Sequence, residues 1–144
     1  MGYAATLAAS AEEDGHDVGR GNVGAGTGAV LAQGKYKGGT GTASVRLDGD
    51  NSGVVVGAIA VVNAVGSPIG ATSPGGTPAG EMARGSLNTT LVVVATNAVL
   101  DPAQCKRTAT AAHAGLARAL NPVHTLADGD TIFTLATGER ALSG

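Results

Sequence analysis

Between residues 19 and 41 the chain reads GRGNVGAGTGAVLAQGKYKGGTG, and this run limits the fold more than any other feature. A residue without a Cβ reaches backbone angles closed to other residues and lets two backbones, or a backbone and a ligand, come close together. The run is poor in serine and holds Val23, Val30, Leu31 and Tyr36 at intervals, so it reads as packed structure rather than linker. Gly accounts for 24 of the 144 residues and aromatics for only 2%. Core volume must then come from close stacking of sheets and helices, because large side chains are scarce.

A chain of 144 residues can bury a real core, as one domain or as part of a larger one. A formal net charge of -2 without long runs of one sign offers no footprint for nucleic acid and no polybasic patch for a membrane. The partners expected are small neutral molecules or protein. Cys105 stands alone, which excludes an internal disulfide and gives no sign of an oxidising compartment. The opening MGYAATLAASAEEDG is too short and too acidic for a secretory signal and reads as a helix. The apolar stretch Val54 to Val65 contains Gly57 and Asn63 and falls short of the roughly 20 residues a membrane span needs. A cytoplasmic location is the default expectation.

Helix propensity runs through residues 3 to 13, with Gly15 placed to end that helix. Two strands are expected at Thr42 to Leu47 and Val54 to Asn63, joined by the turn residues 48 to 53. The first alternates; the second is apolar throughout, as for a strand buried on both faces. Residues 66 to 85 carry three prolines and no periodicity, and read as an exposed loop that tolerates cutting. A strand follows at Leu91 to Thr96. Next comes a helix with Asp101 as N-cap, Pro102 at its first position, and Cys105, Ala109, Ala112, Leu116 and Leu120 on one face. Asn121 and Pro122 stop it, and the last strand is Thr131 to Ala136. This order suits an α/β or α+β layered domain.

Several constellations carry little chemistry. GAGTGA at 24 to 29 meets the loose dinucleotide pattern but lacks a strand before it and a helix after it, so tight packing at a sheet edge is the better reading. Cys105 lies on an apolar helix face and reads as a small buried hydrophobe. His16, His113 and His124 lack metal-ligand spacing, and helical phase makes His113 a surface residue. No metal or other cofactor is expected. Asp128 and Asp130 form a DGD turn before a strand; two carboxylates alone make a weak magnesium site, but they could orient a hydroxyl and steady an ammonium.

Asn88-Thr89-Thr90 opens the most apolar strand, where a plain hairpin entry would account for the residue types. A threonine hydroxyl is a poor nucleophile, and one remedy is to place it at a chain terminus, where its own α-amine, with a pKa near about 8, serves as base. That requires scission before it. A β-hydroxyl can attack the preceding carbonyl to give an ester that water hydrolyses. Ser86 and Thr90 are competing hydroxyls.

The blocks GNVGAGTGA (21 to 29), KGGTGTAS (37 to 44), VVNAVG (61 to 66), NTTLVVVATNA (88 to 98) and DGDTIFTLATG (128 to 138) resemble the self-cleaving N-terminal-nucleophile amidohydrolases of the DmpA aminopeptidase type. The similarity is nearest to their nylon-oligomer hydrolase branch. The blocks stand in the family's order and cover most of the chain. In members with serine the nucleophile stands three places before the strand core, which selects Thr89 here. The resemblance implies an α/β layered sandwich of the αββα kind, present in part, and autocleavage between Asn88 and Thr89 into fragments 1 to 88 and 89 to 144. It implies Thr89 as nucleophile, Asn63 as oxyanion donor, and Lys37 as the charge that lowers the proton affinity of the Thr89 amine, with Lys35 a close competitor. Asp128 and Asp130 correspond to the polar pair that positions the nucleophile.

The substrate implied is an aminohexanoate oligomer or a short peptide, and a homo-oligomer of cleaved fragments is expected. The resemblance implies that this chain lacks the family's N-terminal part, which would supply strands and one wall of the cleft. Asn97 stands where many relatives have Asp and is expected to be structural. Two other functions stay open: acyl transfer of the ornithine acetyltransferase type, and a shortened fragment that never cleaves.

Overall fold

The computed structural model describes residues 2–13, 15–71 and 88–143. Its centre is a four-stranded sheet in the order β3 (Gly39–Arg46), β4 (Val55–Val62), β6 (Leu91–Ala98), β8 (Thr131–Arg140). The first three strands are antiparallel neighbours, whereas β6 and β8 are parallel. A parallel pair needs a crossover, and α2 (Pro102–Ala119) supplies it. That helix starts where the sequence places it: the Asp101 side chain accepts the Gln104 N–H at 2.7 Å, and the Gln104 side chain accepts the Asp101 N–H at 2.8 Å. Two of the donors a helix start leaves unpaired are thereby satisfied.

The pleat sorts the strands by parity. Val92, Val94 and Ile132 point to α2 and close a core with Leu116, supported by Val56, Ala58, Ala60, Ala109 and Ala112. Burying each of the larger aliphatic side chains contributes roughly 1.5–3 kcal/mol. A second cluster, Leu31, Ala64 and Leu120, sits at the end of the sheet where β1 (Val30–Leu31) pairs with β2 (Tyr36–Lys37) and β5 (Ser67–Pro68) pairs with β7 (Leu120–Asn121). The expectation that Val54 to Asn63 is buried on both faces is corrected: β4 is half-buried along its whole length. Among the described helices α2 packs on one face of the sheet, and even the β4 residues that face it, Val56, Ala58 and Ala60, are only partly buried.

The glycine run does pack at a sheet edge, because β3 is the outermost strand. Gly21 pairs with Thr40 through two backbone hydrogen bonds of 2.7 Å, and a Cβ on Gly26 would stand 2.6 Å from the Thr40 nitrogen. A Cβ on Gly38 would collide with the Val62 carbonyl oxygen. Asn22 ties the turn together, donating to Gly26 O and Ala29 O and accepting from Gly28 N. Neither a buried strand before GAGTGA nor a helix after it is present, which removes the dinucleotide reading.

Asn97 is structural, as expected: its Oδ1 accepts the Val55 N–H at 2.8 Å and its Nδ2 donates to Gly53 O at 3.1 Å, beside a shift of register between β6 and β8. The first helix, α1 (Gly2–Ser10), ends earlier than residue 13 and buries no residue. Of the loop expected over 66 to 85, the part beyond Ala71 lies outside the described residues, as does Ser86. No helix among the described residues is long and apolar enough to cross a membrane.

Candidate active site

Asn88, Thr89 and Thr90 enter β6 in extended conformation, held on both sides before the strand begins. Asn88 bridges to Asp128 in parallel, the Thr89 N–H donates to Asn63 O at 2.7 Å, and the Thr131 N–H donates to Thr90 O at 2.9 Å. Because successive side chains of an extended segment point to opposite faces, the two threonines part company. Thr90 follows the parity of Val92 and is fully buried. Thr89 follows Leu91 and lines an open cleft of about 280 Å³ with Asn63, Val61, Leu91 and the turn residues Thr27, Gly28 and Ala29.

Around Thr89 the short contacts converge on one carbonyl. The Thr89 hydroxyl donates to Asn88 O at 2.7 Å, and the Gly129 N–H donates to the same oxygen at 2.8 Å. A Cβ on Gly129 would meet Thr89 Oγ1 at 2.9 Å, so the middle residue of the DGD turn leaves room for the hydroxyl. The flanking carboxylates hold the surrounding backbone. Asp128 Oδ1 accepts the Val65 N–H at 3.1 Å, and its Oδ2 accepts from Thr125 N and from Thr125 Oγ1, the latter at 2.6 Å. Asp130 Oδ1 accepts the Thr90 N–H at 3.0 Å. Asp128 thus holds the strand end after Asn63, and Asp130 holds the peptide after Thr89.

Asn63 follows β4 directly and lines the cleft, and its Oδ1 accepts the Val30 N–H at 3.0 Å, which fixes the plane of its side-chain amide. Lys37 is exposed on β2 and pairs with Val30, the residue whose N–H meets Asn63. It lines a second hollow, of about 310 Å³, with Leu31, Gly38, Val62, Leu116 and Leu120, and does not line the Thr89 cleft. Lys35 is exposed in the turn between β1 and β2. Thr89, Asn63, Asp128 and Asp130 are therefore gathered around one strand entry, and neither lysine is among the residues that line the Thr89 cleft.

Two features escaped the sequence. Gly129 reads as a turn residue until the parallel pairing brings its N–H to the Asn88 carbonyl. The histidines are not all scattered: His124 Nδ1 lies 2.7 Å from Asp130 Oδ2, and His113 is half-buried with its Nδ1 3.3 Å from His124 Nε2, which corrects its reading as a surface residue. A histidine 11 residues after another is no signal until the end of α2 and the turn after it fold the two together. Among the described residues no group of three or more His, Cys, Asp or Glu could hold a metal ion. Cys105 is half-buried on α2, away from these contacts.

This geometry offers a hydroxyl touching the carbonyl of its own preceding residue, a backbone donor on that carbonyl's oxygen, and an open cleft beside them. Several known proteins are similar to this chain. An uncharacterized aminopeptidase of Mycobacterium leprae is 45% identical over 162 residues, covering 96% of this chain and 43% of the relative. One from Mycobacterium tuberculosis is 42% identical over 167 residues, covering 99% of this chain and 46% of the relative. The chain thus spans less than half the length of these relatives. Among solved structures, a Burkholderia sp. beta-aminopeptidase matches with a TM-score of 0.68 at 37% identity, over 92% of this chain and 36% of that one. The L-aminopeptidase D-Ala-esterase/amidase of Ochrobactrum anthropi, described as a variant of the Ntn hydrolase fold, matches with a TM-score of 0.60 at 31% identity, over 84% of this chain and 33% of that one. The sheet with its one covering helix is accordingly part of an Ntn-hydrolase-type layered fold. Peptidase family S58 matches residues 2–143, and the chain belongs to that family.

Proposed function

We propose that this chain forms the nucleophile-bearing part of an amide-bond hydrolase that cuts itself between Asn88 and Thr89 and then works through Thr89 as an N-terminal nucleophile. The observation that carries the reading is the Asn88 carbonyl, which receives both the Thr89 hydroxyl and the Gly129 N–H. In the cutting step Thr89 Oγ1 bonds to the Asn88 carbonyl carbon, the carbon–nitrogen bond breaks, and the Thr89 nitrogen takes the hydroxyl's proton. Water then hydrolyses the ester, leaving a carboxylate on Asn88 and a free amine on Thr89. The negative charge that develops on the Asn88 oxygen meets a donor already in place, so no reorganisation is needed when it forms.

Once free, the Thr89 amine takes the proton of its own hydroxyl as the oxygen attacks a substrate carbonyl, and returns it to the leaving amine. Asn63, on the same cleft, is the side-chain donor proposed for that oxyanion; loss of one such donor typically costs about 3 kcal/mol of transition-state stabilisation. Asp128 and Asp130 keep the nucleophile's backbone in place through Val65 N and Thr90 N. Lys37 is the lysine assigned to the amine by family resemblance, with Lys35 as its competitor, and the geometry adds no support to either. The relatives named as aminopeptidases favour short peptides with a free amine; aminohexanoate oligomers, amides of similar shape, are the second substrate class.

Intact-mass measurement tests the reading. The chain should resolve into two polypeptides, 1 to 88 and 89 to 144, and Thr89→Ala should leave one. A chain that stays whole, or a Thr89→Ala chain that still divides at that bond, refutes it. Product analysis in water and with an added amine acceptor then separates hydrolysis from acyl transfer.

A further inference from the structure

On the helix side of the sheet a row of side chains reaches the nucleophile's backbone through Asp130, and the two histidines in it have no part in the chemistry above. Asp130 is a buried carboxylate, its side chain 4% exposed. One oxygen accepts the Thr90 N–H at 3.0 Å, and the other lies 2.7 Å from His124 Nδ1. An ionised carboxylate only accepts, so this second contact places a hydrogen on His124 Nδ1. In a neutral ring Nε2 is then an acceptor. His113 Nδ1 stands 3.3 Å from it, with the two rings edge to face and their centres 4.7 Å apart. The row therefore runs from α2 through His113, His124 and Asp130 to the peptide between Thr89 and Thr90.

We infer that His124 is a positioning residue for the nucleophile. By donating to Asp130 it holds the carboxylate on the Thr90 N–H, and so fixes the peptide from which the Thr89 side chain projects into the cleft; His113 holds the imidazole from behind. A buried carboxylate deprived of one donor must seek another or turn toward water, and either movement frees the Thr90 N–H. The backbone of His124 is itself set for this contact, at a φ of 55°, which residues with a Cβ seldom adopt. The inference rests on Thr89 being the nucleophile, but its physical core is the hold on Thr90.

Two substitutions suit that backbone angle. Asn tolerates it and offers a side-chain N–H close to the place of Nδ1; Gly accepts it freely, removes the donor, and leaves room for added imidazole. In a Thr89→Ala background, His124→Gly should speed hydrogen exchange at the Thr90 amide at least ten-fold, while His124→Asn stays near the parent. Unchanged Thr90 exchange in His124→Gly overturns the inference, whether or not the chain proves to be a hydrolase. With Thr89 intact, His124→Gly should slow self-cleavage at least ten-fold at an unchanged melting temperature, and both His124→Asn and added imidazole should recover part of that rate. Equal losses in both variants, with no response to imidazole, would make the ring a space filler and also overturn it. A parent chain that never cleaves would instead refute the self-cleavage reading and leave the exchange result to decide on His124.

Discussion

A methyl group at residue 129 would stand 2.9 Å from Thr89 Oγ1 and 3.7 Å from the Asn88 carbonyl oxygen. The Gly129 backbone is not in the left-handed region, so an alanine is acceptable to the chain and objectionable only to the hydroxyl. Gly129→Ala should therefore slow the appearance of fragments 1 to 88 and 89 to 144 at least ten-fold while shifting the melting temperature by only a few degrees. Timed mass spectrometry beside a thermal melt measures both, and an unchanged cleavage rate would deny Gly129 its role at that carbonyl. The same scale explains why adjacent threonines differ: Thr90 turns its hydroxyl into the core, where Oγ1 has no partner, and Thr89 turns toward the cleft.

Among the elements, α2 carries the structural burden of the site. It spans the crossover between β6 and β8, buries Leu116 against Val92, Val94 and Ile132, and presents His113 to the turn before β8. Its start depends on the reciprocal bonds between Asp101 and Gln104. Asp101→Ala should cost about 1 kcal/mol of stability, read as a lower denaturation midpoint at an unchanged slope, with self-cleavage unaffected at temperatures well below the melt. A midpoint equal to the parent's would show that packing alone holds this helix. At the far edge, the glycines of the 19 to 41 run bring the turn before β1 against β3, and with it Thr27, Gly28 and Ala29 against the Thr89 cleft.

Taken as a whole, the described residues form a sheet with one covered face. On the other, Leu91, Phe133 and Leu135 are 47%, 59% and 48% exposed, beside half-buried Ile59, Val61 and Val93. Apolar patches of this kind bind environment-sensitive dyes. The isolated chain should brighten such a dye, and the double substitution Phe133→Thr with Leu135→Thr should cut the signal at least two-fold at an unchanged melting temperature; an undiminished signal would place the exposed apolar surface elsewhere. Much of this architecture is legible in the residues themselves. The DP start of α2, the strand of β6 and the small residues of the β3 edge follow from capping, β-branched side chains and backbone clearance, each set by neighbours within a few positions. Other features depended on register and packing between residues far apart in the chain. The parallel pairing of Asn88 with Asp128 brings the Gly129 N–H to the Asn88 carbonyl, and the turn after α2 joins His124 to Asp130 and His113. Only the fold could show that β4, apolar throughout, is half-buried along its whole length, since composition records that a side chain is apolar and not what lies across from it.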